Sequence, residues 1–362
     1  MSTVVPAAGV ISLARGIPSP DLLPLEELRH CAGEAIARDG RVALNYGPPG
    51  GYGPLREWLA ERHRVEPEQV LVTPGSMLGL TMLFAETVEP GTRVVVESTT
   101  YDRALTALRT AGAELVVEPR GGRVRYLLPT FHNPTGETLT LPQRREVVDA
   151  AVADAALVVE DDAYGLLRFE GEAQPTLLSL LQDAGADDLA VYSSSFSKSV
   201  APGLRVGYLV LSRALAARVE RRALATYVSP PLLPQAQLYE FLSQGLLEPH
   251  LARLNARLRE RRDALAGALD AELPAARGAL PEGGYFMWAE LPVPAAELLA
   301  AAREVGVAFE PGSGFSPAGG EPFGARLAFS FAPPDELREA VARLGRLLRE
   351  NPILRRREDA HA

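Results

Sequence analysis

The stretch Leu189-Ala190-Val191-Tyr192-Ser193-Ser194-Ser195-Phe196-Ser197-Lys198-Ser199 decides how this chain is read. It starts as a short apolar run of strand character, turns into serines and reaches a lysine; Gly203-Leu204-Arg205-Val206-Gly207 follows. Lys198 is the chain's only lysine: of 37 lysines and arginines, all the others are arginine. A guanidinium stays protonated and cannot act as an amine nucleophile, whereas a buried lysine can lose its proton and form a Schiff base with a carbonyl. A chain that uses arginine everywhere else and keeps lysine here points to amine chemistry at this position. The strand that delivers it fits an open α/β sheet, in which ligands bind beyond the carboxyl ends of the strands.

Working outward, short apolar runs alternate with helical stretches. Strands are predicted at 70–72, 93–97, 115–117, 125–129, 157–160, 189–192 and 206–211. Helices are predicted at 25–39, 55–64, 77–86, 102–111 and 142–154, and a long helix or helix pair at 235–269. Continuous apolar strands separated by helices imply a mostly parallel sheet covered on both faces. Beyond Pro274 the texture changes to strands at 285–291, 307–309 and 326–331, with helices at 295–304 and 334–349. The expectation is a three-layer α/β unit over 40–270, including the long helix, and a smaller α+β unit built from 1–39 and 271–362.

Composition narrows the function classes. The net charge is -9 and the pI about 5.3, which argues against a nucleic-acid or anionic membrane surface. The basic cluster Arg355-Arg356-Arg357 reads as a solvated tail. A single cysteine, Cys31, forbids an intramolecular disulfide, and five scattered histidines give no metal-ligand spacing. No leader pattern is seen in residues 1–14, and no apolar run reaches the ~20 residues a membrane span needs. The sequence predicts a soluble cytoplasmic protein with neither metal, nucleic acid nor membrane as partner.

The polar residues that end the predicted strands are the ones expected to converge: Gly75 and Ser76, Tyr101, Asn133, Asp161 and Tyr164, then Ser195 and Lys198. Their order, with Asn45-Tyr46-Gly47-Pro48, Thr73-Pro74-Gly75-Ser76, His132-Asn133-Pro134-Thr135-Gly136, Asp161-Asp162-Ala163-Tyr164, Ser195-Phe196-Ser197-Lys198 with Arg205, Glu282-Gly283-Gly284-Tyr285-Phe286 and Arg326, resembles fold-type I pyridoxal 5′-phosphate enzymes. More closely it is similar to class I/II aminotransferases of the aminoadipate/kynurenine group, which also supply a domain of GntR-type regulators. The resemblance runs from about residue 11 to about residue 350. Asn-Pro-Thr-Gly or Gly-Ser alone would say little; the ordered set says much.

The resemblance implies roles. Lys198 would hold the cofactor as an aldimine and later carry the substrate's α-proton. A carboxylate opposite the ring nitrogen would keep it protonated. Asp161 fits by its Asp-x-x-Tyr spacing, while Asp162 would point elsewhere on a strand. Asn133 and Tyr164 would bond the ring oxygen, and Tyr101 would stack on the ring. Gly75, Ser76 and Met77, at a helix start, would take the phosphate with Ser195 and Arg205; Ser76 could equally be a plain helix cap. Tyr46 would reach the phosphate of a neighbouring subunit, implying a homodimer with shared sites. Arg326 would fork onto the substrate α-carboxylate, with Asn133 and Gly16 beside it. The expected activity moves the α-amino group of an L-amino acid to a 2-oxo acid by a ping-pong route. A lyase, cyclase, decarboxylase or oxidase on the same cofactor, or a non-enzymatic sensor, are the competing readings. Several positions depart from the pattern: no proline precedes Tyr101, Ala163 replaces a proline, and Pro49 and Arg15 stand near the expected substrate side-chain region.

Overall fold

The computed structural model describes residues 9–118 and 120–351; the arginine cluster at 355–357 lies outside them. Twelve strands are present among the described residues: β1 (Ile11–Ser12), β2 (Val70–Thr73), β3 (Arg93–Val95), β4 (Glu114–Val116), β5 (Val124–Leu127), β6 (Leu157–Asp162), β7 (Ala190–Ser195), β8 (Gly207–Val210), β9 (Phe286–Glu290), β10 (Val307–Ala308), β11 (Glu310–Pro311) and β12 (Gly324–Ala328). Seven form one sheet in the order β2-β8-β7-β6-β5-β3-β4. β7, β6, β5, β3 and β4 run parallel, and β8 is antiparallel to both of its neighbours, β2 and β7.

β2, β5 and β7 are buried along their whole length, the signature of a sheet covered on both faces. One face packs Leu80, Leu83, Phe84, Leu105 and Val219 against Tyr126, Val159 and Leu209. The other packs Leu55, Leu59, Leu178 and Phe241 against Val72, Val158 and Tyr208. Helix Leu25–Ala43 joins this second core through Leu28, Cys31 and Ala35.

A three-stranded antiparallel sheet, β11-β12-β9, and a short parallel pair, β1 with β10, make the remainder. Their core draws on Phe286, Leu298, Val307, Leu327 and Leu344, and on Leu254, Leu258 and Leu265 of the long helix Leu247–Glu272. The stretch expected as one helix or a pair is two helices, Leu233–Ser243 and Leu247–Glu272, parted at Gly245, whose φ of 70° ends the first. Two helices escaped the sequence reading, Leu177–Asp183 and Arg213–Tyr227. In the second, arginines interleave with the apolar stripe Leu215, Ala216, Val219 and Ala223 and blur its period.

Candidate active site

The carboxyl ends of β2, β6 and β7 meet at one sheet edge. Because β8 runs the other way, its first residue, Gly207, registers against both Thr73 and Ser195. That reversal brings Arg205, just ahead of β8, to the same edge as Gly75 and Ser195. There a cleft of about 910 Å³ opens, bounded on its far side by β1, β11 and β12. Gly16, Ser76, Met77, Tyr101, Asn133, Asp161, Tyr164, Ser195, Lys198, Arg205 and Arg326 all line it. Gly75 lies just behind, as the N-cap of helix Ser76–Thr87. Tyr46 is not part of this chain's cleft; it stands on a loop, 83% exposed.

Lys198 sits in a tight turn after β7, closed by Val200 and Ala201 amides donating to the Phe196 carbonyl. The Tyr285 hydroxyl donates to the Lys198 carbonyl (2.6 Å), and His250 Nε2 lies 2.9 Å from the Ser199 carbonyl. The backbone is thus pinned from two sides, and the side chain is left to the cleft. Its Nζ donates to the Gly16 carbonyl at 2.6 Å. Loss of water, then the Arg326, Arg205 and Arg103 charges, lower the ammonium pKa to about 8.

Asp161 and Asp162, adjacent on β6, face opposite sides of the sheet. Asp161 Oδ2 accepts from the Tyr126 hydroxyl at 2.7 Å, while its Oδ1 is buried without a hydrogen-bond partner. Burial pushes its carboxyl up to about 7, helped by Asp162 and Glu97 and opposed by the Tyr126 bond. Asp162 instead accepts from Tyr192 and from the Gly165 amide on the far face.

Opposite, Arg326 of β12 lies between the rings of Phe286 (4.2 Å) and Phe315 (4.8 Å). Its Nη1 donates to Asn133 Oδ1 (3.0 Å) and its Nη2 to the Ala14 carbonyl (3.1 Å); its Nε is buried with no partner. Asn133 is set by its own loop, where His132 bridges Glu97 and Thr135. Residues 14–17 reach the cleft because β1 pairs with β10 and Leu13, in the core, donates to the Ala308 carbonyl and accepts from the Ala328 amide. Tyr101 and Tyr164 flank Asp161, and burial raises both phenols, Tyr101 to about 12 and Tyr164 further.

The remaining corner is built for an anion. Helix Ser76–Thr87 points its amino end there. Ser195 Oγ bonds Ser197 Oγ (2.9 Å) and accepts from the Ser197 amide, and Arg205 Nη1 approaches Ser197 Oγ at 3.4 Å. Gly75 has φ 86°, a conformation that favours glycine, and a Cβ on it would displace the Arg205 guanidinium from this corner.

These residues fit pyridoxal 5′-phosphate. The orphaned Asp161 oxygen wants a buried N–H⁺, the serine–arginine–helix corner wants a phosphate, and Lys198 is an amine able to capture an aldehyde. Sequence reasoning missed Tyr126, which reads as one more apolar-strand residue. It also missed Ser197, which joins Ser195 and Arg205 at the anion corner, and the cleft-lining Arg103, Arg303 and Glu310; only their folded positions mark these. Among the described residues no helix is long and apolar enough to cross a membrane, and no His/Cys/Asp/Glu group could hold a metal.

The aminotransferase class I and II family model matches residues 8–121 and 126–344. A 2-aminoadipate transaminase of Thermus thermophilus is 36% identical over 94% of this chain and 90% of its own length. The crystal structure of LysN, an alpha-aminoadipate aminotransferase from the same species complexed with N-(5′-phosphopyridoxyl)-L-leucine, superposes with a TM-score of 0.88 at 34% identity, covering 94% of this chain and 92% of that one. The HTH-type transcriptional regulator TauR of Rhodobacter capsulatus is 32% identical over 92% of this chain and 73% of the regulator.

Proposed function

The chain belongs to the aminotransferase class I and II family and is a pyridoxal 5′-phosphate-dependent aminotransferase, and we propose that it moves the α-amino group of an L-amino acid to a 2-oxo acid in a ping-pong cycle run by Lys198. The observation that carries this reading is one cleft holding a deprotonation-prone lysine, a carboxylate oxygen without a partner and a guanidinium on the far wall.

When bound, the cofactor supplies an aldehyde for amine capture and a ring that accepts electrons. This chain's residues do the rest. Lys198 loses its proton near pH 8, so around that pH its amine can take the substrate's Cα proton and return it to the carbon of the captured aldehyde, two bonds along. Asp161 would keep the ring nitrogen protonated, with Tyr126 fixing the carboxylate's rotation. Asn133 and Tyr164 would bond the ring oxygen, and Tyr101 would cover the ring. The amides opening helix Ser76–Thr87, with Ser195, Ser197 and Arg205, would hold the phosphate. Arg326 forks onto the α-carboxylate, which would take over the bonds now spent on Asn133 and Ala14.

Our first choice of donor is of the 2-aminoadipate type, carrying a second carboxylate. A relative of that name is the basis, together with Arg15, Arg103 and Arg303 along the cleft. Glu310 lines the same wall, and burial raises its carboxyl. The proposal includes a homodimer in which Tyr46 of one copy reaches the phosphate corner of the other; the exposure of Tyr46, and of Val42 and Leu44 beside it, supports this.

The test uses the wild-type chain and Lys198→Ala with 2-aminoadipate, glutamate, leucine and kynurenine as donors and 2-oxoglutarate as acceptor. Wild type should convert the cofactor to its amine form with donor alone and regain the aldehyde form with acceptor; the variant should do neither. Release of ammonia or carbon dioxide in place of amino transfer would refute the reading, and so would near-native turnover by Lys198→Ala.

A further inference from the structure

Behind the sheet, on the face away from the cleft, lies a second cavity of about 430 Å³. Asp162, Tyr192, Tyr208 and His63 line it. Tyr192 donates to Asp162 Oδ2 at 2.7 Å, and the Gly165 amide donates to Oδ1 at 2.7 Å. Ser194 Oγ donates to the Asp162 carbonyl at 2.6 Å. His63 Nε2 lies 3.0 Å from the Tyr208 hydroxyl, and its ring lies tilted at 48° against that of Tyr192, 4.6 Å between centroids. A Cβ on Gly165 would strike the Asp162 carboxylate, so this turn closes onto Asp162 with no room to spare.

That turn has Asp161 immediately before it and Tyr164 inside it. Both belong to the cleft on the opposite face. One rigid peptide plane joins Asp161 to Asp162, so a displacement of the Asp162 backbone carries the neighbouring Cα of Asp161 with it. Asp161 has only one hydrogen bond on its own side, from Tyr126. The ladder to β7 fixes the strand as far as Asp162, which registers against Ser194; past that point the Asp162 carboxylate closes the turn through the Gly165 amide and so sets the segment that carries Tyr164 next to Asp161.

We propose that Asp162 is a positioning residue of the cofactor site, holding Asp161 and Tyr164 in place from behind the sheet; the proposal rests on the cofactor reading given above. Asp162 also acts through charge. It is one of the neighbours that raise the Asp161 carboxyl, and burial raises its own. Partners of this kind orient the groups that touch a cofactor and are felt in its affinity and electronics.

The experiment compares wild type, Asp162→Asn and Tyr192→Phe. Each is loaded with pyridoxal 5′-phosphate and titrated with pH while the bound cofactor's absorbance is followed. Cofactor Kd and the thermal midpoint of the apo protein are measured alongside. Asp162→Asn keeps the shape and removes one negative charge near the ring. It should lower the midpoint of the absorbance titration, because cationic forms lose a stabilising neighbour, and should weaken cofactor binding about tenfold. Tyr192→Phe should move both in the same direction by less. A merely structural Asp162 would lower the thermal midpoint and leave the titration and the Kd within twofold of wild type; that result, in a folded Asp162→Asn protein, would overturn the proposal. A wild-type protein that bound no pyridoxal 5′-phosphate would remove the cofactor reading itself and this proposal with it.

Discussion

The two sides of β6 near its carboxyl end are built on opposite rules. Toward the cleft, Asp161 keeps one carboxylate oxygen without a partner, Arg326 keeps its Nε unpaired, and Lys198 has lost much of its water. Behind the sheet, Asp162 has both carboxylate oxygens and its carbonyl bonded, and Tyr192 and Tyr208 each meet a polar neighbour. Both aspartates are buried. The difference shows what burial does with and without satisfaction. A buried polar group costs stability unless it is bonded, so open groups that line a cleft are free to bond a ligand; an open atom without a cleft beside it, such as Glu160 Oε1 on the Asp162 face of β6, marks no ligand. Groups closed on one another mark where it holds itself together.

Three changes would break or sharpen that contrast. Asp161→Asn should have the largest effect, lowering kcat about 10³-fold, since a preorganised charge opposite the ring is removed. The same variant should gain stability in the apo form at high pH. The Asp161 carboxyl is raised from 3.8 to about 7 in the fold, so its favourable contribution is full below pH 3.8 and is lost as pH rises through 7. Urea melts should therefore show the variant ahead of wild type by a few kcal/mol at pH 8, with the gap closing at pH 4. A gap independent of pH would remove the claim that the open carboxylate is the costly one. Arg326→Lys should come next. It loses the fork and should raise KM for the amino donor about 30-fold with a smaller change in kcat; an unchanged KM would mean the α-carboxylate is held elsewhere. The smallest effect should come from the satisfied side, where Gly165→Ala forces a methyl group toward Asp162. It should cost about 1–3 kcal/mol of stability by urea denaturation. A cost near zero would show that the turn has slack and would weaken the idea that it positions anything.

Much of this contrast was legible in the chain. The lone lysine, the serines ahead of it and the Asp-x-x-Tyr spacing pointed to the cleft wall. Strand alternation already separated Asp161 from Asp162. What could not be read were the partners. Tyr126 sits between Arg125 and Leu127 in β5, and nothing local says that its hydroxyl will meet Asp161 thirty-five residues later. Arg303 and Glu310 enter the cleft from segments with no motif of their own. Arg205 was expected at the phosphate, but its route there depends on β8 inserting antiparallel between β2 and β7.

The sequence by itself determined the chemistry available and the periodic pattern of the layers, because residue type and the apolar period are local properties. Only the tertiary structure decided which polar atoms would be paired and which left waiting. Pairing depends on distances between segments far apart in the chain, and desolvation, which turns an open oxygen or amine into a reactive one, exists only once those segments have closed around it.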